Sequence, residues 1–165
     1  MALPRLLKHF NLYLDGRSYL GRVDSVTLPN LTVQVESHRA AGMNGPVEIE
    51  LGLDVMTMQM VISDYDPKLL TLFSTPNTPL ILRGSVQAQG SKEEPVVISV
   101  RGLQKGLNFG QWQGGQKTTQ TIDYTLSYFR YEQDNVEYAE IDIVNMIQRI
   151  GGVDQLAAHR TNIGL

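Results

Sequence analysis

Residues 47–63 read VEIELGLDVMTMQMVIS, and their rhythm decides the fold class. Val47, Ile49 and Leu51 alternate with Glu48, Glu50 and Gly52, and then Met56, Met58, Met60 and Ile62 alternate with Thr57, Gln59, Val61 and Ser63. A period of two is that of an extended strand, whose successive side chains point to opposite faces. The two runs are expected to pair, with one oily and one wet face.

The same rhythm extends in both directions. Toward the amino terminus, Phe10, Leu12 and Leu14 alternate with Asn11 and Tyr13, and Asp15-Gly16 supplies a hairpin turn because glycine tolerates positive φ. A return strand is expected over residues 19–23. An extended run over 24–36 is broken at Pro29, which cannot donate to a ladder. Beyond it Val33 and Val35 face one way and Gln34 and Glu36 the other. Residues 37–46 hold Ala40, Ala41, Gly42, Asn44, Gly45 and Pro46, which make a loop with few core anchors around a single apolar Met43.

Toward the carboxyl terminus, Asp66-Pro67 has the form of an N-cap and first helical position. The expected helix, 67–74, buries Leu69, Leu70 and Phe73 and stops before Pro76. Strands follow over 80–89, 96–105, 118–132 and 136–143, the last two joined at Gln133-Asp134-Asn135. The glycine-rich stretch 106–115 carries the single tryptophan, Trp112. Residues 145–159 have helical spacing, with Val153, Leu156 and Ala157 on one side. The expectation is one mostly β domain over 1–165, an antiparallel sandwich or barrel of about seven or eight strands. It carries one short internal helix and a short carboxyl-terminal helix.

At 165 residues the chain can bury a sizeable core, and its 42% hydrophobic and 19% charged content is that of a folded protein. The net charge is −3, with no basic block, so tight phosphate binding is not expected. The absence of cysteine removes disulfides, thiolate chemistry and Cys-based zinc sites. The first residues, MALPRLLKHFNLYLDG, lack the uninterrupted apolar run of a signal peptide, and no run reaches membrane-spanning length. Synthesis in the cytosol, with no stable membrane association, is the expectation.

Catalytic patterns are missing. His9, His38 and His159 are far apart in sequence and stand in no metal-ligand spacing. No nucleophile elbow, P-loop or dinucleotide fingerprint occurs. Glu48/Glu50 and Glu140/Asp142 could each place two carboxylates on one strand face, yet such acids are ordinarily solvated and no aromatic sugar platform accompanies them. Trp112 could serve as a binding platform or pack at a subunit contact. No cofactor, metal ligand or catalytic residue is assigned.

Three stretches carry more than periodicity. Ser25-Val-Thr-Leu-Pro-Asn-Leu-Thr runs on through Glu36-Ser-His-Arg-Ala-Ala-Gly-Met-Asn-Gly-Pro-Val-Glu-Ile-Glu-Leu-Gly-Leu-Asp54. Arg101-Gly-Leu-Gln-Lys105 follows. The third is Glu140-Ile-Asp-Ile-Val-Asn-Met146 with Gly152-Val-Asp-Gln-Leu156 and the closing Asn162-Ile-Gly-Leu165. In order along the whole chain they resemble the major tail tube proteins of P2-like contractile phages and the tube protein of R-type pyocins.

The resemblance implies a structural subunit, not an enzyme, that forms hexameric rings stacked into a hollow tube inside a contractile sheath. Its implied partners are copies of itself, the sheath protein, the baseplate, the tape-measure and tail terminator proteins, and DNA in passage. The implied location is the virion, after assembly in the host cytoplasm. A long loop reaching the neighbouring ring maps to residues 38–54, with His38, Arg39, Met43, Asn44 and Asp54 as interface candidates. Glu48, Glu50, Thr57 and Gln59 are candidates for the channel wall, where acidic and neutral groups would let DNA slide. The alternative is that this face is outer surface. Alternatives are a tube subunit of a type VI or related injection system and, from another class, a β-sandwich carbohydrate-binding module. The latter needs clustered exposed aromatics, whereas Trp112 stands alone.

Overall fold

The computed structural model describes residues 3–165; Met1 and Ala2, the start of the segment read above for a signal peptide, lie outside the described residues. Chain order is β1 (Leu6–Leu14), β2 (Arg17–Ser18), β3 (Val23–Thr27), β4 (Val33–His38), β5 (Val47–Leu53), β6 (Met56–Ile62), α1 (Pro67–Thr71), β7 (Thr78–Gln87) and β8 (Glu94–Asn108). It continues through β9 (Gln120–Gln133), β10 (Val136–Asp142), β11 (Ile147–Ile150), β12 (Val153–Asp154) and α2 (Ala157–Asn162). The expected class, mostly antiparallel β with two short helices, is the one observed.

Ten strands form one sheet in the order β12-β11-β10-β9-β8-β7-β1-β2, with β6 also on β9 and β3 beyond β6. β9 is the spine. Its first half pairs with β6, from Met56↔Leu126 to Ile62↔Gln120, and its second half pairs with β10. The partner changes at Ser127, which is skipped in the register with β8 and forms a bulge. The bulge reverses which residues point inward, from Ile122, Tyr124 and Leu126 to Phe129. Two strands thus diverge from one edge of β9, while Ile143 N–H donates to Ser127 O at 3.0 Å where they part.

Leu12 and Leu14 of β1, Leu80 and Leu82 of β7, and Met56, Met58, Met60 and Ile62 of β6 belong to one buried cluster. Strands at opposite ends of the sheet can share a core only if the sheet curls over on itself, so the architecture is an incompletely closed barrel. Gly102 sits where β8 crosses β9 closely: a Cβ there would lie 2.2 Å from Thr125 O. The turns read from sequence form as expected. Asp15 and Gly16 take φ 48° and 79°, and Asp134 and Asn135 take φ 50° and 62°, the left-handed pair of a type I′ hairpin.

Several local expectations need correction. β5 does not pair with β6; it pairs with β4, in a separate two-stranded sheet. The return strand expected over 19–23 is only Arg17–Ser18, because the Tyr19 ring turns into the core and its hydroxyl donates to Asp66 Oδ2 at 3.0 Å. α1 has the expected Asp66 cap, which accepts from Lys68 N–H at 2.9 Å, but it ends at Thr71. It buries Leu69 and the following Leu72, leaving Leu70 and Phe73 exposed. The tail is not a helix over 145–159. Gly151 and Gly152, at φ 59° and 84°, turn β11 into β12, and only Ala157–Asn162 is helical.

Candidate assembly surfaces

β4 and β5 form a hairpin arm that touches the main sheet only at its base. No side chain of β4 is buried, and Val47, Ile49 and Leu51 of β5 are 53%, 50% and 62% exposed. The register explains why neither face is purely oily. Val35 lies opposite Glu50, Ser37 opposite Glu48, Glu36 opposite Ile49 and His38 opposite Val47, with a shift between Gln34 and Val35. Directly opposed residues share a face, so each face of the arm combines one apolar row with one polar row. A ribbon amphipathic in this way has apolar surface to bury on both sides.

The interface candidates are spread along this arm. His38 closes β4; Arg39, Met43 and Asn44 form the tip. There Met43 N–H donates to Ala40 O at 3.2 Å, the Met43 thioether accepts from Ala40 N–H at 3.2 Å, and Gly42 takes φ 88°. Asp54 lies at the far end. Its backbone N–H donates to Thr32 O at 2.8 Å and its carboxylate accepts from Val55 N–H at 2.7 Å, fixing the angle at which the arm leaves the barrel.

The four channel candidates divide. Thr57 and Gln59 are exposed on the outer face of β6, whereas Glu48 and Glu50 stand on the arm, in a different sheet. Gln59 Nε2 donates to Asp123 Oδ1 at 2.9 Å, and the pairing Thr57↔Thr125 continues the polar surface onto β9. Thr57, Gln59 and Asp123, with Thr27 and Lys105, border a shallow cleft of about 430 Å³. Asp123, Thr125 and Lys105 were not among the sequence candidates. The alternation of Thr121, Asp123 and Thr125 against Ile122, Tyr124 and Leu126 carried that signal.

Many charges elsewhere are matched within the subunit. On β9 to β11, Arg130 reaches Glu132 at 2.6 Å and Glu137 at 2.9 Å, and Arg149 pairs with Glu137 and Glu140. Arg101 lies 4.2 Å over the Tyr128 ring, whose hydroxyl donates to Glu140 at 3.0 Å. Burial, then that carboxylate, raises the Tyr128 pKa. The Arg160 guanidinium, 2.5 Å from Asp154, holds that carboxyl at about 2. Glu36, Glu48 and Glu50 on the arm have no such partner among the described residues.

Among the described residues no group of three or more His, Cys, Asp or Glu is arranged to hold a metal. Trp112 is 79% exposed; it meets Tyr65 edge-on at 5.9 Å and donates from Nε1 to the Tyr65 hydroxyl at 2.6 Å. The surfaces on offer are strand edges, an unburied arm and a polar sheet face. Such surfaces suit contacts with other chains.

A curled antiparallel sheet with a projecting hairpin and open edges has the form of an assembly subunit. The chain belongs to the phage tail tube protein FII family, whose sequence profile matches residues 4–164. It is 40% identical to the tail tube protein of Escherichia phage P2, over the whole of both chains. It is 30% identical to the major tail tube protein of Serratia phage KSP20, covering 92% of this chain and 91% of that one. Its fold is similar to a chain of the extended sheath–tube complex of the extracellular contractile injection system PVC, with a TM-score of 0.59, 8% identity and 74% and 87% of the two chains covered. It is also similar to a chain of the anti-feeding prophage baseplate, with a TM-score of 0.54, 13% identity and 82% and 100% covered. The protein is a tail tube subunit of a contractile phage tail, a structural and non-enzymatic component of the virion.

Proposed function

We propose that copies of the chain close into hexameric rings, and that the rings stack into a tube whose channel passes DNA. The observation that carries this reading is the arm: a hairpin with no buried residue on β4 and apolar rows on both faces is stable only when another chain covers it. Heterologous contacts of this kind generate closed rings or continuing filaments, as a tube requires. Residues 38–54 supply the contact between rings, with His38, Arg39, Met43 and Asn44 toward its tip and Asp54 setting its angle.

In the same reading Thr57 and Gln59, joined by Asp123 and Thr125, line the channel. Neutral and acidic groups give phosphates no purchase, so DNA slides. Rigidity comes from strand pairing and arm contacts between subunits; the tube starts on the baseplate, grows around the tape-measure protein, ends at the terminator and serves as scaffold for the sheath. Electron microscopy of the concentrated, purified chain tests the core of this: rings or tubes with a central channel are expected, and a persistent monomer overturns it.

A further inference from the structure

We propose that β5 of the arm in one copy adds as a strand to the free edge of β1 in a second copy, seating Val47, Ile49 and Leu51 in the apolar cleft beside that edge. The inference rests on the tube reading and names the surface that receives the arm.

The barrel has an open seam. β2 covers Tyr13 and Leu14 of β1, and Tyr19 N–H donates to Leu12 O at 2.8 Å, so among the described residues, residues 6–11 of β1 are paired on the β7 side alone. Among the described residues β3 is paired on the β6 side alone. Between these edges lies a cleft of about 410 Å³ walled by Leu7, Phe10, Val26, Leu82, Val96 and Ile98. An apolar cleft flanked by unsatisfied backbone edges has room and hydrogen-bonding groups for an added strand.

β5 has the matching pattern. Among the described residues only β4 pairs with it, which leaves its outer edge free, and its apolar row is exposed. Turning that row into the cleft points Glu48 and Glu50 outward, onto the outer surface of β1 and β7. That surface carries Lys8, the extra residue at the bulge of β1, and Arg83, opposite Asn11. Neither has a carboxylate partner among the described residues, and Arg83 rests 6.0 Å from the Tyr13 ring centre. The polar row of β4 then lies along the β3 rim, where Lys117 holds Asp24 at 2.8 Å. One placement satisfies two strand edges, an apolar cleft, an apolar row and four unpaired charges. It puts Glu48 and Glu50 at the subunit contact instead of the channel wall.

The chain has no cysteine, so an introduced pair reports cleanly. With Leu7→Cys and Ile49→Cys in one chain, oxidation of assembled protein should give a ladder of covalent oligomers that either single variant lacks. In parallel, E48K/E50K and K8E/R83E should each lose tubes, and the fourfold swap should regain them. A ladder or a rescue supports strand addition. If the variants stay folded by circular dichroism, wild-type tubes form and neither ladder nor rescue appears, strand addition is overturned while the tube reading stands. A wild-type chain that forms no ring or tube overturns the tube reading itself.

Discussion

Gly102 and Asp66 show how single residues hold the barrel together. A Cβ at position 102 would fall 2.2 Å from Thr125 O and 3.0 Å from Leu126 Cα, so β8 or β9 must shift to admit it. Gly102→Ala should cost about 3 kcal/mol in urea denaturation, as an overpacked site with backbone on the opposing side. Asp66 caps α1, accepts from the buried Tyr19 and faces Arg17 at 3.4 Å and Arg22 at 3.8 Å. Burial pushes its pKa up, but the Lys68 N–H, the Tyr19 hydroxyl and the two arginines together pull it below the ordinary value. The unfolded chain therefore binds more protons in acid, so this contribution is full above the unfolded value near pH ~4 and fades as pH falls through the folded one. Asp66→Ala should lose about 1–2 kcal/mol at neutral pH and show a shallower acid decline in stability than the parent. Burial, reinforced by Asp66, pushes the Tyr19 phenol up to about 12. Its contribution is full below pH ~10 and is lost as pH rises toward the folded value, a loss that Tyr19→Phe should remove from an alkaline titration.

At the scale of elements, the arm and the barrel are separable. The arm contributes no member of the fully buried core, and only Leu53 at its base packs against it. Deleting residues 40–45 should therefore move the melting temperature by less than about 2 °C while abolishing long tubes in micrographs; tubes of normal length would remove the arm from the ring-to-ring contact. Much of this was legible in sequence. Asp15-Gly16 and Asp134-Asn135 announced their hairpins through residues that accept positive φ, and the shortage of apolar anchors over 37–46 marked a segment that does not serve its own core. The pairing of β5 was not legible. β5 and β6 alternate equally well, and which strand meets which is decided by the distant β9, whose bulge at Ser127 leaves no periodic trace. The tail misled for a local reason: the spacing of Val153, Leu156 and Ala157 suits a helix, but Gly151-Gly152 is a two-residue turn and overrides it. In α1, Leu72 took the buried place expected for Leu70 because the helix ends after only five residues.

At the scale of the whole molecule, function follows from what the subunit leaves unsatisfied. Its dense ion pairs lie on β9 to β11 and are closed within the chain, whereas the open seam, the arm and the polar face of β6 and β9 look outward for partners. Family membership was legible from the ordered motifs, and the mostly β class from alternation. Whether the four proposed channel residues stand together was not legible, because Thr57 and Glu48 share a sequence rhythm but not a sheet. The channel assignment has a direct electrostatic consequence. Replacing Gln59 and Asp123 with lysine removes one carboxylate and adds two cations per subunit on that polar face.

 Repeated around a ring, those cations would form a basic girdle that condenses on phosphate. Tubes of the Gln59→Lys/Asp123→Lys variant should still assemble, since neither side chain is buried. They should capture DNA ends at about 50 mM salt and release them by about 200 mM, while wild-type tubes capture none at either. Phage carrying the variant tube should eject DNA more slowly than the parent. Equal DNA capture and equal ejection by both tubes would place this face on the outside of the tube and leave the channel wall to another strand.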